Sequence, residues 1–158
     1  MRTRIYTDGA CSINPGPGGW AVVVNTASDC YTISGNEKLT TNNRMELKAV
    51  IEAYKKILSS TRHNSCVSYE ILSDSAYVVN SINNNWIEVW KQNGWRTTKQ
   101  EDVKNRDLWE EFDKLRSKAN KIGLCITLSK VKGHSGNTFN ELVDKLAKEE
   151  SIKAKEGT

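Results

Sequence analysis

Apolar and polar side chains alternate from Arg4 to Thr7, a short apolar run spans Trp20 to Val24, and Asn14-Pro15-Gly16-Pro17-Gly18-Gly19 between them is a turn. That order predicts a hairpin, and a third strand around Tyr31 to Asn36 extends it to an antiparallel meander. The period then changes. Leu47, Val50, Ile51, Tyr54, Ile57 and Leu58 recur at helical spacing, which predicts a helix over Asn43 to Leu58 with Thr41 or Asn42 as its cap. Val67 to Ser73 reads as a strand running into Asp74-Ser75, whose side chains suit the start of a short helix to about Asn80, ended by Asn83, Asn84 and Asn85. Trp86, Val89 and Trp90 follow at i, i+3 and i+4, and Gly94-Trp95 closes that segment. A helix from Asn105 to about Ala119 and a last strand from Leu124 to Val131 come next. Thr138-Phe139-Asn140-Glu141 fits the capping box of a final helix carrying Leu142, Val143, Leu146 and Ala147. Strands separated by a helical crossover imply a mixed α/β sheet with helices packed against it.

At 158 residues, without repeats or low-complexity tracts, the chain is expected to form one domain over residues 1–152, followed by a disordered tail over 153–158. The formal net charge of +4 is compatible with a polyanionic partner without requiring one. Cys11, Cys30, Cys66 and Cys125 are scattered and form no C-x-x-C pair, which argues against a zinc or thioredoxin-like site and for reduced thiols used as small apolar residues. No apolar run approaches a membrane span, and the N-terminal residues have no signal-peptide character. A soluble, cytoplasmic protein is expected.

Four carboxylates then change the picture. Asp8 lies at the expected end of a strand, Glu46 in the first turn of a helix, Asp74 at a strand-to-helix junction and Asp144 inside the last helix. Each alone has an ordinary explanation: a turn residue, a helix-dipole partner, an N-cap and a solvated helix acid. Together they fall where neighbouring parallel strands would bring them to one sheet edge, the usual ligand edge of an open α/β sheet. Carboxylates about 4 Å apart repel by roughly 4 kcal/mol per pair at an effective dielectric of 20, so the cluster needs cations or protons. Hard oxygen donors suit Mg²⁺ or Mn²⁺, and a pair of such ions can activate a water and stabilise the leaving oxygen of a phosphodiester.

Tyr6-Thr7-Asp8-Gly9, the Asn14-to-Trp20 turn and Thr41-Asn42-Asn43-Arg44-Met45-Glu46-Leu47 resemble type 1 ribonuclease H. Ser73-Asp74-Ser75, Gly94-Trp95, Lys104-Asn105, Asp107-Leu108-Trp109, Val131-Lys132-Gly133-His134 and Asn140-Glu141 with Asp144 follow in the family's order. The resemblance runs from residue 2 to about 150 and is strongest to the bacterial form. It implies a ribonuclease H-like fold: a five-stranded mixed sheet, three strands antiparallel and then two parallel, flanked by helices. It implies a site for two Mg²⁺ ions, with Mn²⁺ a substitute, built from Asp8, Glu46, Asp74 and Asp144, and a role for His134 in proton movement or product release. The implied substrate is an RNA/DNA hybrid. The resemblance places Asn14, Asn42 and Asn43 in its minor groove, Cys11 against the RNA, and Thr41 and Asn105 at a phosphate of the DNA strand. The implied activity is that of a monomeric endonuclease in which water attacks the scissile phosphorus in line, leaving a 3′-hydroxyl and a 5′-phosphate.

The stretch containing Trp86, Trp90, Lys91, Trp95, Arg96 and Lys99 resembles the family's basic handle. Its cations are matched by Glu88, Glu101 and Asp102, which predicts weaker and less salt-sensitive gripping of DNA. Trp86 and Trp90 have two readings, packing the handle onto the domain or stacking on nucleic acid. Ala76 stands where the bacterial form often carries a polar residue. A catalytically silent module binding hybrid or double-stranded RNA is the alternative function, against which the intact carboxylate set argues. A related proofreading exonuclease would carry a Glu two residues after its first Asp, where this chain has Ala10. A junction resolvase would leave the Asn42-Asn43 pair and the tryptophans unexplained.

Overall fold

The computed structural model describes residues 2–60, 67–131 and 138–157. His134, His63 and Cys66 lie outside the described residues. Three long strands, β1 (Arg2–Cys11), β2 (Gly16–Asn25) and β3 (Cys30–Thr40), form the expected meander, and α1 (Asn42–Ser59) crosses to β4 (Ser68–Ser73). Three helices follow: α2 (Ala76–Asn83), α3 (Trp86–Gln92) and α4 (Arg106–Lys121); β5 (Cys125–Lys130) and α5 (Thr138–Glu156) close the chain. The sheet order is β3-β2-β1-β4-β5, antiparallel between β1, β2 and β3 and parallel from β1 through β4 to β5.

Burial of both sheet faces explains why β2 reads as an apolar run rather than an alternation. Val22 and Val24, with Ile5 and Ile71, join Leu47, Val50 and Ile51 of α1 and Trp109 and Phe112 of α4 in the larger core. Ala21 and Val23, with Tyr6, face Val143 and Ala147 of α5 in the smaller one. Tyr54 and Trp109 each meet Phe112 edge-on, with ring centroids 5.0 and 5.9 Å apart.

The boundaries differ from expectation where tertiary packing extends an element. β1 runs on to Cys11, pairing with β2 as far as Gly18, so Asp8 lies within the strand and not at its end. Residues 153–156 are helical, with Ala154 buried, so α5 runs into the stretch expected to be a tail. Cys11, Cys30 and Cys125 are free thiols as expected, but Cys30 and Cys125 are exposed and fill no core. No helix among the described residues is long and apolar enough to cross a membrane.

Candidate active site

The parallel register sets the first half of the site. Tyr6 of β1 pairs with Leu72 of β4, and Thr7 Oγ1 donates to the Leu72 carbonyl at 2.9 Å, so two residues further along Asp8 lies level with Asp74. Asp8 is 5% exposed, and its Oδ1 accepts from the Gly9 N–H at 2.9 Å. Asp74 does not cap α2. Ser75 does, its hydroxyl accepting from Val78 N at 3.2 Å, which frees the Asp74 carboxylate from the cap.

Gly9 brings in the third carboxylate. A Cβ there would collide with the backbone nitrogen of Glu46 and the carbonyl carbon of Met45, so α1 lies directly on the backbone of β1. Thr41 caps α1, accepting from Arg44 N at 3.2 Å. Glu46 is then the fifth residue of the helix, one residue deeper than expected and just past the first turn, and no acid sits in the first turn for the dipole to favour. Oxygens of Asp8, Glu46 and Asp74 all lie within 4.8 Å of one another. Glu46 Oε2 is buried without a hydrogen-bond partner. Burial raises Asp8 to about 7, with the charges of Asp74 and Asp144 adding to the rise. Burial likewise lifts Glu46 well above the usual carboxylate range, followed by the charges of Asp8 and Asp74. An orphaned buried oxygen in a set of crowded hard donors fits a divalent cation of the Mg²⁺ class.

Asp144 reaches the same place from α5 but stands apart from the tight trio. It shares with Asp8, Glu46, Asp74, Cys11 and Asn42 the walls of a cleft of about 560 Å³. Its Oδ2 is 3.0 Å from Lys148 Nζ, one helical turn on. Lys148 also lines the cleft and was not singled out from the sequence, although an Asp four residues before a Lys on one helix is a readable signal.

The expected hybrid-contacting residues gather at the start of α1. Asn42 N donates to Asn14 Oδ1 at 3.3 Å, and Cys11 Sγ lies 3.0 Å from the Ile13 carbonyl. Asn105 is carried on the other side by a network that sequence reading missed. Arg44 Nη1 donates to its Oδ1 at 3.3 Å, its Nδ2 donates to Tyr77 Oη at 3.1 Å, and Trp109 Nε1 donates to the same hydroxyl at 2.8 Å. Arg44 is itself fixed by a two-pronged pair with Asp107 at 2.8 and 2.9 Å, and this pairing holds the Asp107 carboxyl below its ordinary range.

The handle divides. Trp90 packs on Trp109 with centroids 5.6 Å apart, which makes it a fastening, whereas Trp86 is 43% exposed. Trp95 is half-buried against the core. Lys91 is tied to Asp113 of α4 at 3.0 Å, and Arg96 Nη1 donates to the Gln100 carbonyl at 3.1 Å. Lys99 is exposed.

Comparison with known proteins follows the same outline. The RNase H family model matches residues 1–152. A ribonuclease H of Acetivibrio thermocellus is 48% identical over 149 residues, covering 94% of each chain. One of Treponema denticola is 46% identical over 160 residues, covering 94% of this chain and 96% of its own. Among solved structures, LC9-RNase H1, a type 1 RNase H with the type 2 active-site motif, superposes with a TM-score of 0.78 at 29% identity, covering 97% of this chain and 73% of that one. LC11-RNase H1, solved in complex with an RNA/DNA hybrid, shares the fold with a TM-score of 0.70 at 23% identity, covering 96% of this chain and 98% of that one. On the match of the family model and of these relatives across nearly its whole length, the chain belongs to the RNase H family.

Proposed function

We propose that this chain is an endonuclease that hydrolyses the RNA strand of RNA/DNA hybrids, leaving 3′-hydroxyl and 5′-phosphate ends. The observation that carries the reading is the crowded carboxylate trio of Asp8, Glu46 and the half-buried Asp74, with an orphaned Glu46 oxygen, in a chain of this family. Asp8, Glu46, Asp74 and Asp144 would hold two Mg²⁺ ions, for which Mn²⁺ would substitute. When bound, such ions stabilise charge on phosphate oxygens and lower the pKa of water enough to supply a nucleophile.

The residues around the trio have donors to spare for the substrate. Asn14 uses its oxygen on Asn42 N, which leaves its amide hydrogens for a 2′-hydroxyl in a shallow minor groove, with Asn42 and Asn43 exposed beside it. The Thr41 hydroxyl accepts the α1 capping bond and keeps its proton for a phosphate. Asn105 keeps one amide hydrogen after bonding Tyr77. Cys11 lies on the cleft wall, in reach of the RNA. His134 would assist proton transfer or product release by the resemblance already given. Of the handle, the Trp86 face with Lys99 would contact the DNA strand, while Trp90 fastens it to the domain, Trp95 is half-buried, and Lys91 and Arg96 are engaged within the protein. The chain would act as a monomer, and free thiols at Cys11, Cys30 and Cys125 suit a reducing compartment such as the cytoplasm.

Cleavage of an end-labelled hybrid in Mg²⁺ and in EDTA, beside RNA/RNA, DNA/DNA and single-stranded RNA, tests this. Metal-dependent internal cuts confined to the RNA of the hybrid are expected, and Asp8→Asn should abolish them while hybrid binding persists. Tight hybrid binding without cleavage in Mg²⁺ or Mn²⁺ would overturn the reading in favour of a silent binding module.

A further inference from the structure

Helix α5 presents an unusual seam to the sheet. Phe139, stacked on Tyr6 at 5.5 Å, with Leu142 and Leu146, packs its first half, but around and beyond Glu150 the buried positions are Ala147, Ser151 and Ala154, small side chains that provide few knobs to key that half of the helix. Among them sits a carboxylate: Glu150 is 7% exposed. Its Oε2 accepts from Asn36 Nδ2 of β3 at 2.8 Å, its Oε1 from Ser34 Oγ at 3.4 Å, and Lys153 Nζ lies 3.1 Å from Oε1. Opposite, a Cβ on Gly19 of β2 would come within 2.6 Å of the Ala147 carbonyl and the Ser151 nitrogen, so helix and strand backbones are in direct contact. An apolar side chain at such a position is often as stabilising as a buried ion pair or more so, whereas hydrogen bonds are directional. Glu150 therefore fixes the second half of α5 in translation and rotation, where the small apolar seam does not.

Asp144 is six residues before Glu150 on this helix, about 9 Å along its axis. It faces Asp8, Glu46 and Asp74 across the cleft, with Lys148 3.0 Å away on its own helix. We infer that Glu150, clamped to Asn36 and Ser34, is a positioning residue that holds Asp144 at the acidic cleft and so sets metal affinity. The inference rests on the reading of Asp144 as a metal-holding residue. Gly19 is the other half of the device, admitting the helix backbone that Glu150 locks.

Calorimetric Mg²⁺ titration of the free protein, melting in EDTA, and the Mg²⁺ dependence of hybrid cleavage test it together. Asp144→Asn should weaken Mg²⁺ binding, which establishes the reading beneath the inference. Glu150→Ala should then weaken Mg²⁺ binding by about tenfold, as loss of a group that orients a metal ligand commonly does, and lower kcat with KM for the hybrid unchanged. Glu150→Gln should recover most of this, because its amide oxygen still accepts from Asn36. Asn36→Ala, at an exposed position of β3 where folding is safe, should change metal binding in the same direction as Glu150→Ala. If Glu150→Ala and Asn36→Ala melt lower yet bind Mg²⁺ as the unaltered protein does, the clamp is a fastening only and the inference fails. Should Asp144→Asn also bind Mg²⁺ normally, the assignment of Asp144 falls first and the positioning role with it.

Discussion

Asp8 shows how a single residue ties stability to the site. An isolated aspartate ionises near 3.8, but burial, with Asp74 and Asp144 nearby, raises Asp8 to about 7. An acid whose folded pKa is raised binds its proton more tightly folded than unfolded, so without divalent metal its contribution to stability declines as pH rises from about 4 towards 7. Asp8→Asn removes that charge while keeping the shape. In EDTA at pH 8 the variant should melt higher than the unaltered protein, by about 2–4 °C for each kcal/mol of repulsion relieved. Mg²⁺ should raise the melting temperature of the unaltered protein and move the variant much less. Melting curves at pH 5 and pH 8, with and without Mg²⁺, check both statements; an Asp8→Asn protein that melts lower in EDTA at pH 8 would mean that Asp8 serves the fold rather than the site.

At the level of elements, Gly9 and its contact with α1 are the feature on which the site depends most. Any side chain at Gly9 meets helix backbone, which cannot swing aside as a flexible side chain would. Gly9→Ala should therefore destabilise by about 1–3 kcal/mol and separate Asp8 from Glu46. Displacement on the ångström scale should reduce cleavage by about 100-fold, more than the stability loss alone accounts for. Gly123, with a φ of +75° and open space around it, is the control: alanine there should destabilise by about 1 kcal/mol and leave the cleavage rate unchanged. Chemical denaturation and initial cleavage rates distinguish the two. The contrast also shows which part of the molecule was legible in advance. The order and type of the elements followed from local period and caps, because the amphipathic stripe of α1 and the alternation in β1 are written in neighbouring residues. What local reading misplaced depended on partners far along the chain. β1 continues past Asp8 because β2 supplies its ladder, and Glu46 falls in the second turn because Thr41, rather than Asn42, accepts the capping bond. Nothing in its own neighbourhood marks Gly9, since its real constraint is the backbone of a helix 36 residues later. Arg44 and Asp107 stand in the quoted motifs without a role of their own, and Tyr77 outside them, for the same reason: each becomes informative only once α1, α2 and α4 meet around Asn105.

For the whole molecule, the question is how a chain of net charge +4 grips a polyanion. Formal charge overstates what a nucleic acid can use, because a cation already paired within the protein gains little by exchanging its partner. In the handle, Lys91 faces Asp113, while Arg96 is bonded to the Gln100 carbonyl. Next to it Arg106 bridges Asp102 and Glu110, with Nη1 to Asp102 Oδ1 at 3.0 Å. Lys99, exposed and without an ion-pair partner among the described residues, is the cation with most to gain from a phosphate. Each phosphate neutralised adds roughly one unit to the slope of log Kd against log salt concentration. Lys99→Ala should reduce that slope by about one unit and weaken hybrid binding at low salt. Lys91→Ala should leave the slope unchanged and lower the melting temperature slightly through the loss of its partner on α4. Titrations of a fluorescent hybrid at several salt concentrations in EDTA, where cleavage is absent, read both. Equal slopes for Lys99→Ala and the unaltered protein would place DNA gripping elsewhere, on the exposed Trp86 face, and Trp86→Ala should then weaken binding by an amount independent of salt.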